Sequence, residues 1–237
     1  MELVREKLTT PTDLPPVARR RLLDRLAEDL PCYGATVLTG RAGTGKTVLA
    51  AAFARTCGRR VAWYKVDALD ADLNLFLHYL VASVTRTCPG LGRRTLAQLL
   101  RIAEAQDMPA LAEAFAYCLQ NQSNSLLLVI DDLHLLYDAP WLAPFLQRLL
   151  PLLSEEAHLL IVARSLPPAP LWRLRSKQKL RVIDESALLF TVPETEELFA
   201  RYGLPLEAAR EAWRHTRGRA AALDQLARKA GQTALAA

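Results

Sequence analysis

Short apolar runs alternate with segments of helical period along the first three quarters of this chain. The runs at 35–40, 60–66, 125–132 and 159–163 are rich in aliphatic or aromatic residues and are bounded by turn or charged residues. Near-continuous apolar runs of this length are typical of parallel strands that are buried on both faces. Because helical segments separate them, we predict an α/β fold with a doubly wound, mostly parallel sheet.

The helical segments carry their apolar residues on one face. The clearest of them has Phe76, Leu80 and Val84 at the spacing of a single helix face. From about Pro193 the strand pattern stops, and three short helical segments follow, two of them closed by glycine. We therefore predict three parts, which are an N-terminal arm and helix over 1–34, an α/β core over 35–192, and a small helical subdomain over 193–237.

Composition describes a globular chain of moderate size. Its 237 residues are 51% hydrophobic and 23% charged, with a formal net charge of +5. No apolar run reaches the roughly 18 residues that a membrane-spanning helix requires, so we expect no membrane association. Charges alternate with apolar residues from Met1 to Lys7, unlike a secretory leader, and the cytoplasm is the expected location.

The cysteine and arginine patterns exclude two further classes of site. The four cysteines lie far apart and lack the spacing of metal ligands. The basic residues form only short clusters, and no recognition-helix, zinc or RNA-stacking motif accompanies them. We therefore expect no direct nucleic-acid binding by this part of the protein.

The octet GRAGTGKT, at residues 40–47, has the spacing G-x-x-x-x-G-K-[ST] and joins a predicted strand to a predicted helix. Glycines let successive backbone N–H groups point into one concavity, and the N-terminus of the following helix adds its positive dipole end. Lys46 can reach the β and γ phosphates of a nucleotide, and the Thr47 hydroxyl is placed to complete a Mg²⁺ shell. The residues expected to hold the nucleotide here are Ala42, Gly43, Thr44, Gly45, Lys46, Thr47 and Val48.

Two acids and one arginine follow predicted strands. Asp131 is the first of the two acids that end the run 125–132, where we expect a strand next to the loop strand to deliver a carboxylate to a metal ion held by Thr47. Asp132 is a candidate to orient or polarise an attacking water. Arg164 follows the next strand, where it can sense a γ phosphate or offset charge in the transition state. The catalytic candidates are Lys46, Asp132 and Arg164, and the metal candidates are Thr47 and Asp131.

With these motifs in place, the sequence resembles the STAND class of signal-transduction ATPases, and within it the large, maltose-regulon-activator-like LuxR-type regulators. The likeness extends to PPVARRRLLDRL, WYKVDALDADLNLFLHYLVASV, LVIDDLHLL and VARSLPPAPLWRLRSKQKL, so it spans nearly the whole chain. The resemblance implies a P-loop NTPase core of the AAA+/STAND type with a five-stranded sheet, and ATP or ADP with Mg²⁺ as cofactors. It further implies that Val17 and Arg19 line the adenine pocket and that Arg164 acts as a sensor.

The resemblance also implies partners and a switch. Members of this class hydrolyse ATP slowly and exchange ADP for ATP, which implies self-association in the ATP state. Sensor and DNA-binding domains are expected as partners downstream of this module, which is itself expected to be a nucleotide-binding module alone. Ala220 stands where related proteins place the proline of a glycine-x-proline contact near the nucleotide.

The leading hypothesis is an ATP-binding, slowly hydrolysing switch module of a transcriptional regulator. Two alternatives stay open at this point. One is a non-catalytic interaction module that holds ADP, and the other is a small-molecule phosphotransferase with residues 173–181 as an arginine-rich lid. The choice of adenine comes from the resemblance, although the guanine-reading motif N-K-x-D does not occur in the sequence.

Overall fold

The computed structural model describes residues 3–12, 17–89, 93–120, 125–168, 171, 174, 175, 177 and 179–235. These residues form a five-stranded sheet in which every paired strand runs parallel to its neighbour. The strands are β1 (Ala35–Thr39), β2 (Arg60–Lys65), β3 (Leu126–Asp131), β4 (Ala157–Ala163) and β5 (Leu180–Ile183). Their spatial order is β2-β3-β4-β1-β5, which confirms the predicted α/β fold and the number of strands.

The helices that follow and connect the strands fill both faces of the sheet. They are α1 (Arg20–Asp29), α2 (Lys46–Thr56), α3 (Leu73–Thr85), α4 (Arg93–Glu104), α5 (Met108–Gln120), α6 (Leu142–Leu152), α7 (Glu185–Leu188), α8 (Val192–Ala200), α9 (Leu206–Thr216) and α10 (Ala220–Leu235). No helix within the described ranges combines the length and the apolarity needed to cross a membrane.

The three central strands β1, β3 and β4 are buried along their whole length, as their unbroken apolar runs predict. On one face, α3 and α6 contribute Phe76 and Phe145 to a cluster with Ile130 of the sheet. On the other face, α1 and α2 contribute Leu22 and Phe53. Alternate residues of each strand therefore pack against different helix layers, which holds the strand ends in a fixed register.

β5 is the strand that the hydrophobic pattern does not locate. It has only four residues, pairs with β1 at the edge of the sheet, and leaves Arg181 and Val182 half-buried. An arginine inside so short a run removes the continuous apolar signal by which the other strands are recognised. The arrangement places β1 between β4 and β5, so the loop after β1 lies at the carboxyl edge of the sheet beside both neighbours.

The C-terminal helices α8, α9 and α10 share a hydrophobic cluster of their own. Its members include Val17, Phe190, Leu198, Phe199 and Leu223, so the cluster also takes in residues from the segments that precede α1 and α8. These helices are amphipathic and short, and an apolar face of this size is stabilised mainly by packing against its neighbours.

Gly218 joins the helical cluster to the chain at Phe190. The Phe190 N–H donates to the Gly218 carbonyl at 2.8 Å, and the Trp213 indole N–H donates to the Phe190 carbonyl at 2.8 Å. Gly218 has φ +80°, and a Cβ placed there would lie 2.4 Å from the Phe190 carbonyl oxygen. Only glycine fits this position without displacing the backbone.

The N-terminal residues are held against β2 and α3 by a buried ion pair. The Lys7 ammonium donates to both carboxylate oxygens of Asp70, at 2.8 and 2.7 Å, and lies 4.2 Å from the centre of the Tyr79 ring. Asp70 is fully buried, whereas the Lys7 side chain is 12% exposed. Because a buried carboxylate is costly unless it is paired, this contact fixes where the N-terminal segment lies.

Candidate functional site

The loop at residues 40–47, here named the phosphate loop, turns from the end of β1 into the first turn of α2. Gly43 and Gly45 have φ values of +80° and +83°, a left-handed conformation that residues with a Cβ rarely adopt. Successive residues in such conformations form concave nests of backbone N–H groups, and the α2 N-terminus adds its dipole. The loop geometry is therefore that of an anion-binding site.

Lys46 lies inside this loop. Its ammonium donates to the carbonyls of Gly40 and Arg41 at 2.6 and 2.8 Å, and to the Thr44 hydroxyl at 3.1 Å. Burial lowers the pKa of Lys46, and the positive charge of Arg164 lowers it further. A buried ammonium beside a nest of N–H groups concentrates positive potential where phosphate oxygens would bind.

Thr47 and Asp131 meet at the carboxyl edge of the sheet. The Thr47 hydroxyl donates to Asp131 Oδ1 at 3.0 Å, and the N–H of Asp132 donates to the same oxygen at 3.1 Å. Asp131 is fully buried, and its Oδ2 has no hydrogen-bond partner in the described part of the chain. Burial raises the pKa of Asp131 to about 6, and the charge of Asp132 raises it as well. An unpaired buried carboxylate oxygen beside a hydroxyl fits a hard divalent cation such as Mg²⁺.

Asp132 begins a short 3₁₀ turn in a left-handed conformation, with φ +61° and ψ +27°. Its Oδ1 lies 3.8 Å from His134 Nδ1. Burial lowers the pKa of His134, so the imidazole is neutral at pH 7. Since Asp132 follows the buried β3 directly, its carboxylate lies next to Asp131, although the sequence alone could not foresee the left-handed backbone.

Arg164 is exposed and follows β4 directly. Its positive charge contributes to lowering the pKa of both Lys46 and His134, which places the guanidinium within electrostatic range of the phosphate loop. Across the residues that the structure describes, no acidic side chain forms an ion pair with it. An arginine in this setting is available to an anionic ligand.

A cavity of about 300 Å³ opens beside the phosphate loop, between the α/β core and the helical cluster. Its lining consists of Val17, Arg19, Gly43, Gly45, Val48, Leu49, Ala52, Phe190, Leu198, Ala220, Ala221, Asp224 and Arg228. The lining is mainly apolar with a few polar groups, which is the usual make-up of a small-molecule pocket.

Arg19 is held rigidly at this cavity. Its Nη2 donates to the carbonyls of Leu188 and Leu189, at 2.6 and 3.0 Å, and the guanidinium lies 4.4 Å from the centre of the Phe190 ring. Burial lowers the pKa of Arg19 to about 10. Its Nε and Nη1 are buried without a described partner, and a Cβ on Gly45 would lie 3.9 Å from Nη1. Buried unpaired N–H groups facing a cavity indicate a ligand that supplies acceptors.

The structure separates the predicted nucleotide residues into two groups. Val17, Arg19 and Val48 line the cavity together with the two left-handed glycines of the loop. Thr44 is buried, and its hydroxyl donates to the Arg41 carbonyl at 2.9 Å, whereas Ala42 is exposed and lies outside the cavity lining. The roles assigned to these residues in nucleotide binding stay predictions.

The sequence interpretation missed the residues that close the cavity from the C-terminal side. Ala221 donates its N–H to the Gly43 carbonyl at 2.9 Å, so the first turn of α10 rests directly on the phosphate loop. Asp224 and Arg228 continue this wall. In the sequence, this segment is marked only by Ala220, which stands where related proteins have a proline. The backbone contact with Gly43 forms without that proline.

Glu185 is a second residue that the sequence did not indicate. Its carboxylate accepts from the backbone N–H of Arg41 at 2.9 Å and from the Arg41 guanidinium at 2.7 and 2.9 Å. These hydrogen bonds lower the pKa of Glu185 to about 2. The bond ties the phosphate loop to α7.

The described arginines of the segment considered as an arginine-rich lid, Arg175 and Arg181, lie outside the cavity lining. Arg181 lies within β5, and its guanidinium is 3.8 Å from the Asp29 carboxylate, away from the cavity. Arg173 lies outside the described residues.

These features together define a P-loop NTPase: a parallel sheet, a phosphate loop after its first strand, a buried lysine in that loop and a threonine–aspartate pair. The family comparison agrees, since a model described as "AAA ATPase domain" matches residues 16–162. The chain belongs to this family of AAA ATPase domains, and its fold and family indicate nucleotide binding with ATPase activity.

Similar solved structures support the fold. Orc1 of Aeropyrum pernix, solved in complex with DNA, is 21% identical with a TM-score of 0.51, over 95% of this chain and 62% of Orc1. The Walker-type ATPase PABY2304 of Pyrococcus abyssi is 13% identical with a TM-score of 0.55, over 91% of this chain and 69% of that protein. The chain thus spans less than two thirds of the length of Orc1. At these identities the likeness concerns the fold alone.

Proposed function

We propose that this chain is an ATP-binding switch module of a LuxR-type STAND regulator, in which exchange of ADP for ATP controls the position of the helical subdomain. The observation that carries the proposal is the hydrogen bond from the Ala221 N–H to the Gly43 carbonyl. It joins the phosphate loop to the helical cluster, so a change at the phosphates acts directly on α10. A switch requires a contact that differs between two states.

The γ phosphate supplies that difference. Arg164 lies exposed at the carboxyl edge of β4, within electrostatic range of Lys46, and ADP lacks the group that this arginine would contact. Binding of ATP would add one charge-assisted contact to the core side of the site. We infer that the closed arrangement, with Ala221 on Gly43, is the ADP state and that ATP favours release of the subdomain.

Thr47 and Asp131 would hold Mg²⁺, which would neutralise phosphate charge at this site. The Thr47 hydroxyl and the unpaired Oδ2 of Asp131 supply oxygen donors, the type that Mg²⁺ prefers. Asp132 would orient the attacking water from the adjacent position. Aspartate is shorter than the glutamate that often fills this role in hydrolytic relatives, and we expect slow hydrolysis.

The first experiment identifies the nucleotide and the site. Mass analysis of the small molecules released when the purified protein is denatured should give ADP. Titration calorimetry should then show MgATP and ADP binding to the parent protein and no detectable binding to Lys46→Ala. Arg201→Ala, an exposed substitution in the helical part, is the matched control. If Lys46→Ala is folded by circular dichroism and binds as tightly as the parent, the site is elsewhere.

A second experiment separates the switch from a module that only holds ADP. Phosphate release should fall at least tenfold in Asp132→Ala, while ADP affinity stays unchanged, because general acid–base positioning contributes about 10²–10⁴-fold to rates. Unchanged phosphate release would favour the non-catalytic module. ADP formation that depends on an added acceptor would instead favour a phosphotransferase.

The partners follow from the proposed regulator class. Sensor and DNA-binding domains would be linked to this module in the full-length regulator, and the module itself would self-associate in the ATP state without contacting nucleic acid. Light scattering of the protein with ADP and with a non-hydrolysable ATP analogue tests the self-association. Equal molar mass with both ligands would contradict it.

A further inference from the structure

The wall that α10 gives to the cavity carries an acidic side chain. Ala220, Ala221, Asp224 and Arg228 lie on one face of this helix and line the cavity in that order. Asp224 is the acidic residue of the cavity lining in the described part of the chain. The side chain is 38% exposed, so it lies hydrated at the rim of the cavity.

The position of Asp224 along α10 sets its distance from the phosphate loop. The first turn of α10 touches the phosphate loop, with the Ala221 N–H on Gly43 and the Ala220 Cβ 3.4 Å from a Cβ built on Gly45. Asp224 lies one turn further, about 6 Å along the axis. In any nucleotide the sugar lies between the α phosphate and the base. At this distance from the phosphate loop, Asp224 would lie beside the sugar of a bound nucleotide.

One oxygen of the Asp224 carboxylate has acceptor capacity to spare. Oδ2 accepts from Arg228 Nε at 2.8 Å, which holds the carboxylate in place. Among the described residues, the hydrogen bond that Oδ1 accepts is a long one, from the Tyr202 hydroxyl at 3.5 Å. An ionised carboxylate has about four lone-pair sites, and the ribose hydroxyls are good donors to such a group.

We propose that Asp224 accepts hydrogen bonds from the ribose hydroxyls and makes this site selective for ribonucleotides over deoxyribonucleotides. The inference rests on the proposed nucleotide binding and adds a specificity-determining residue to it. Because Asp224 belongs to the helical cluster and the phosphates bind to the core, the sugar would connect the two parts.

The test compares four ligands by titration calorimetry, namely ADP, 2′-deoxyADP, 3′-deoxyADP and GDP. A charge-assisted hydrogen bond at a half-exposed position contributes about tenfold in affinity, or about 1.4 kcal/mol. The parent protein is therefore expected to bind ADP about tenfold more tightly than at least one deoxy analogue. In Asp224→Ala this ratio is expected to fall to about one, through loss of ADP affinity.

Two further variants distinguish a direct contact from a structural effect. Asp224→Asn keeps an acceptor oxygen and is expected to retain part of the preference for ribose. Glu197→Ala removes the acid of another helical i,i+4 ion pair, that with Arg201, which lies outside the cavity lining, and is expected to leave every ratio unchanged. The melting temperatures of all variants without ligand control for folding.

Each outcome is decisive for this proposal. Equal binding of ADP and both deoxy analogues by the parent protein overturns the ribose contact while leaving nucleotide binding intact. Asp224→Ala could instead change the ratio of ADP affinity to GDP affinity and leave the ratio of ADP affinity to deoxyADP affinity unchanged. That result would assign Asp224 to the base and would also overturn the proposed ribose contact. Failure of the parent protein to bind any of the four nucleotides refutes the proposed function itself.

Discussion

Asp131 should destabilise the ligand-free protein, and replacing it with asparagine should raise the free energy of unfolding. The carboxyl group is fully buried, its Oδ2 has no partner within the described residues, and its pKa is raised from 3.8 to about 6. Between these two pH values the folded state binds more protons than the unfolded state. Stability therefore falls as pH rises through this window, and the full cost is present above about pH 6.

The size of the effect follows from the shift. A rise from 3.8 to about 6 corresponds to about 3 kcal/mol of lost stability at pH 7. Asp131→Asn removes the charge and keeps an acceptor for the Thr47 hydroxyl, but its own N–H groups are buried and cost about 1–2 kcal/mol. We expect a net gain of about 1–2 kcal/mol, which raises the melting temperature by a few degrees in a chain of this size.

The assay is guanidinium unfolding in EDTA at several pH values from 4 to 8, for the parent and the variant. His158 acts in the opposite direction, because burial lowers its pKa to about 4 and its stabilisation is lost as pH falls below about 6.5. The quantity to analyse is therefore the difference between the two proteins, which should grow from pH 4 to pH 6 and then stay constant.

Asp70→Asn is the matched control. This carboxylate is also fully buried, yet it accepts two hydrogen bonds from Lys7. Asp70→Asn leaves the Lys7 ammonium paired with the half-exposed Asp67 at 2.9 Å but removes its buried partner, so this variant should lose about 1–3 kcal/mol of stability at pH 7. If Asp131→Asn is as stable as the parent or less so, and the difference does not depend on pH, the reasoning about an unpaired metal ligand is refuted.

Three further predictions concern the backbone, the sensor and the metal. In a denaturant titration, Gly218→Ala should lower the free energy of unfolding by more than 3 kcal/mol, because the new Cβ would lie 2.4 Å from a carbonyl oxygen. The control Gly203→Ala has a similar φ but open space around the new Cβ, and it should lower the free energy of unfolding by about 1 kcal/mol. Arg164→Ala should weaken ATP binding about tenfold and leave ADP binding unchanged in calorimetry; equal losses for both would exclude a γ-phosphate contact. Thr47→Val removes the hydroxyl bonded to Asp131 and should abolish the difference between ADP affinities measured with Mg²⁺ and with EDTA, while a retained difference would move the metal elsewhere.

The sequence predicted those parts of the protein whose signal is local. The runs that became β1, β3 and β4 are continuous because these strands are buried on both faces, and the loop octet has a fixed spacing. Asp131 lies beside Thr47 because parallel strands end at one edge of the sheet. The expectation that its strand neighbours the loop strand was wrong, since β4 lies between β1 and β3.

The parts that the sequence did not predict depend on contacts between distant segments. Phe190 stacks on Arg19, and Glu185 binds the phosphate loop, yet neither residue lies in a recognisable motif. The α10 wall with Asp224 forms only because the fold brings the end of the sequence onto the loop. No periodicity or spacing records such a contact.

The cavity draws its walls from segments that lie far apart along the described chain. Val17 and Arg228 line one space, although almost the whole fold separates them in sequence. A molecule held there would contact both the segment before α1 and the helix α10. Its binding energy would therefore oppose local unfolding of both. Limited proteolysis would then report occupancy, with cleavage slowed at the first and the last helices together.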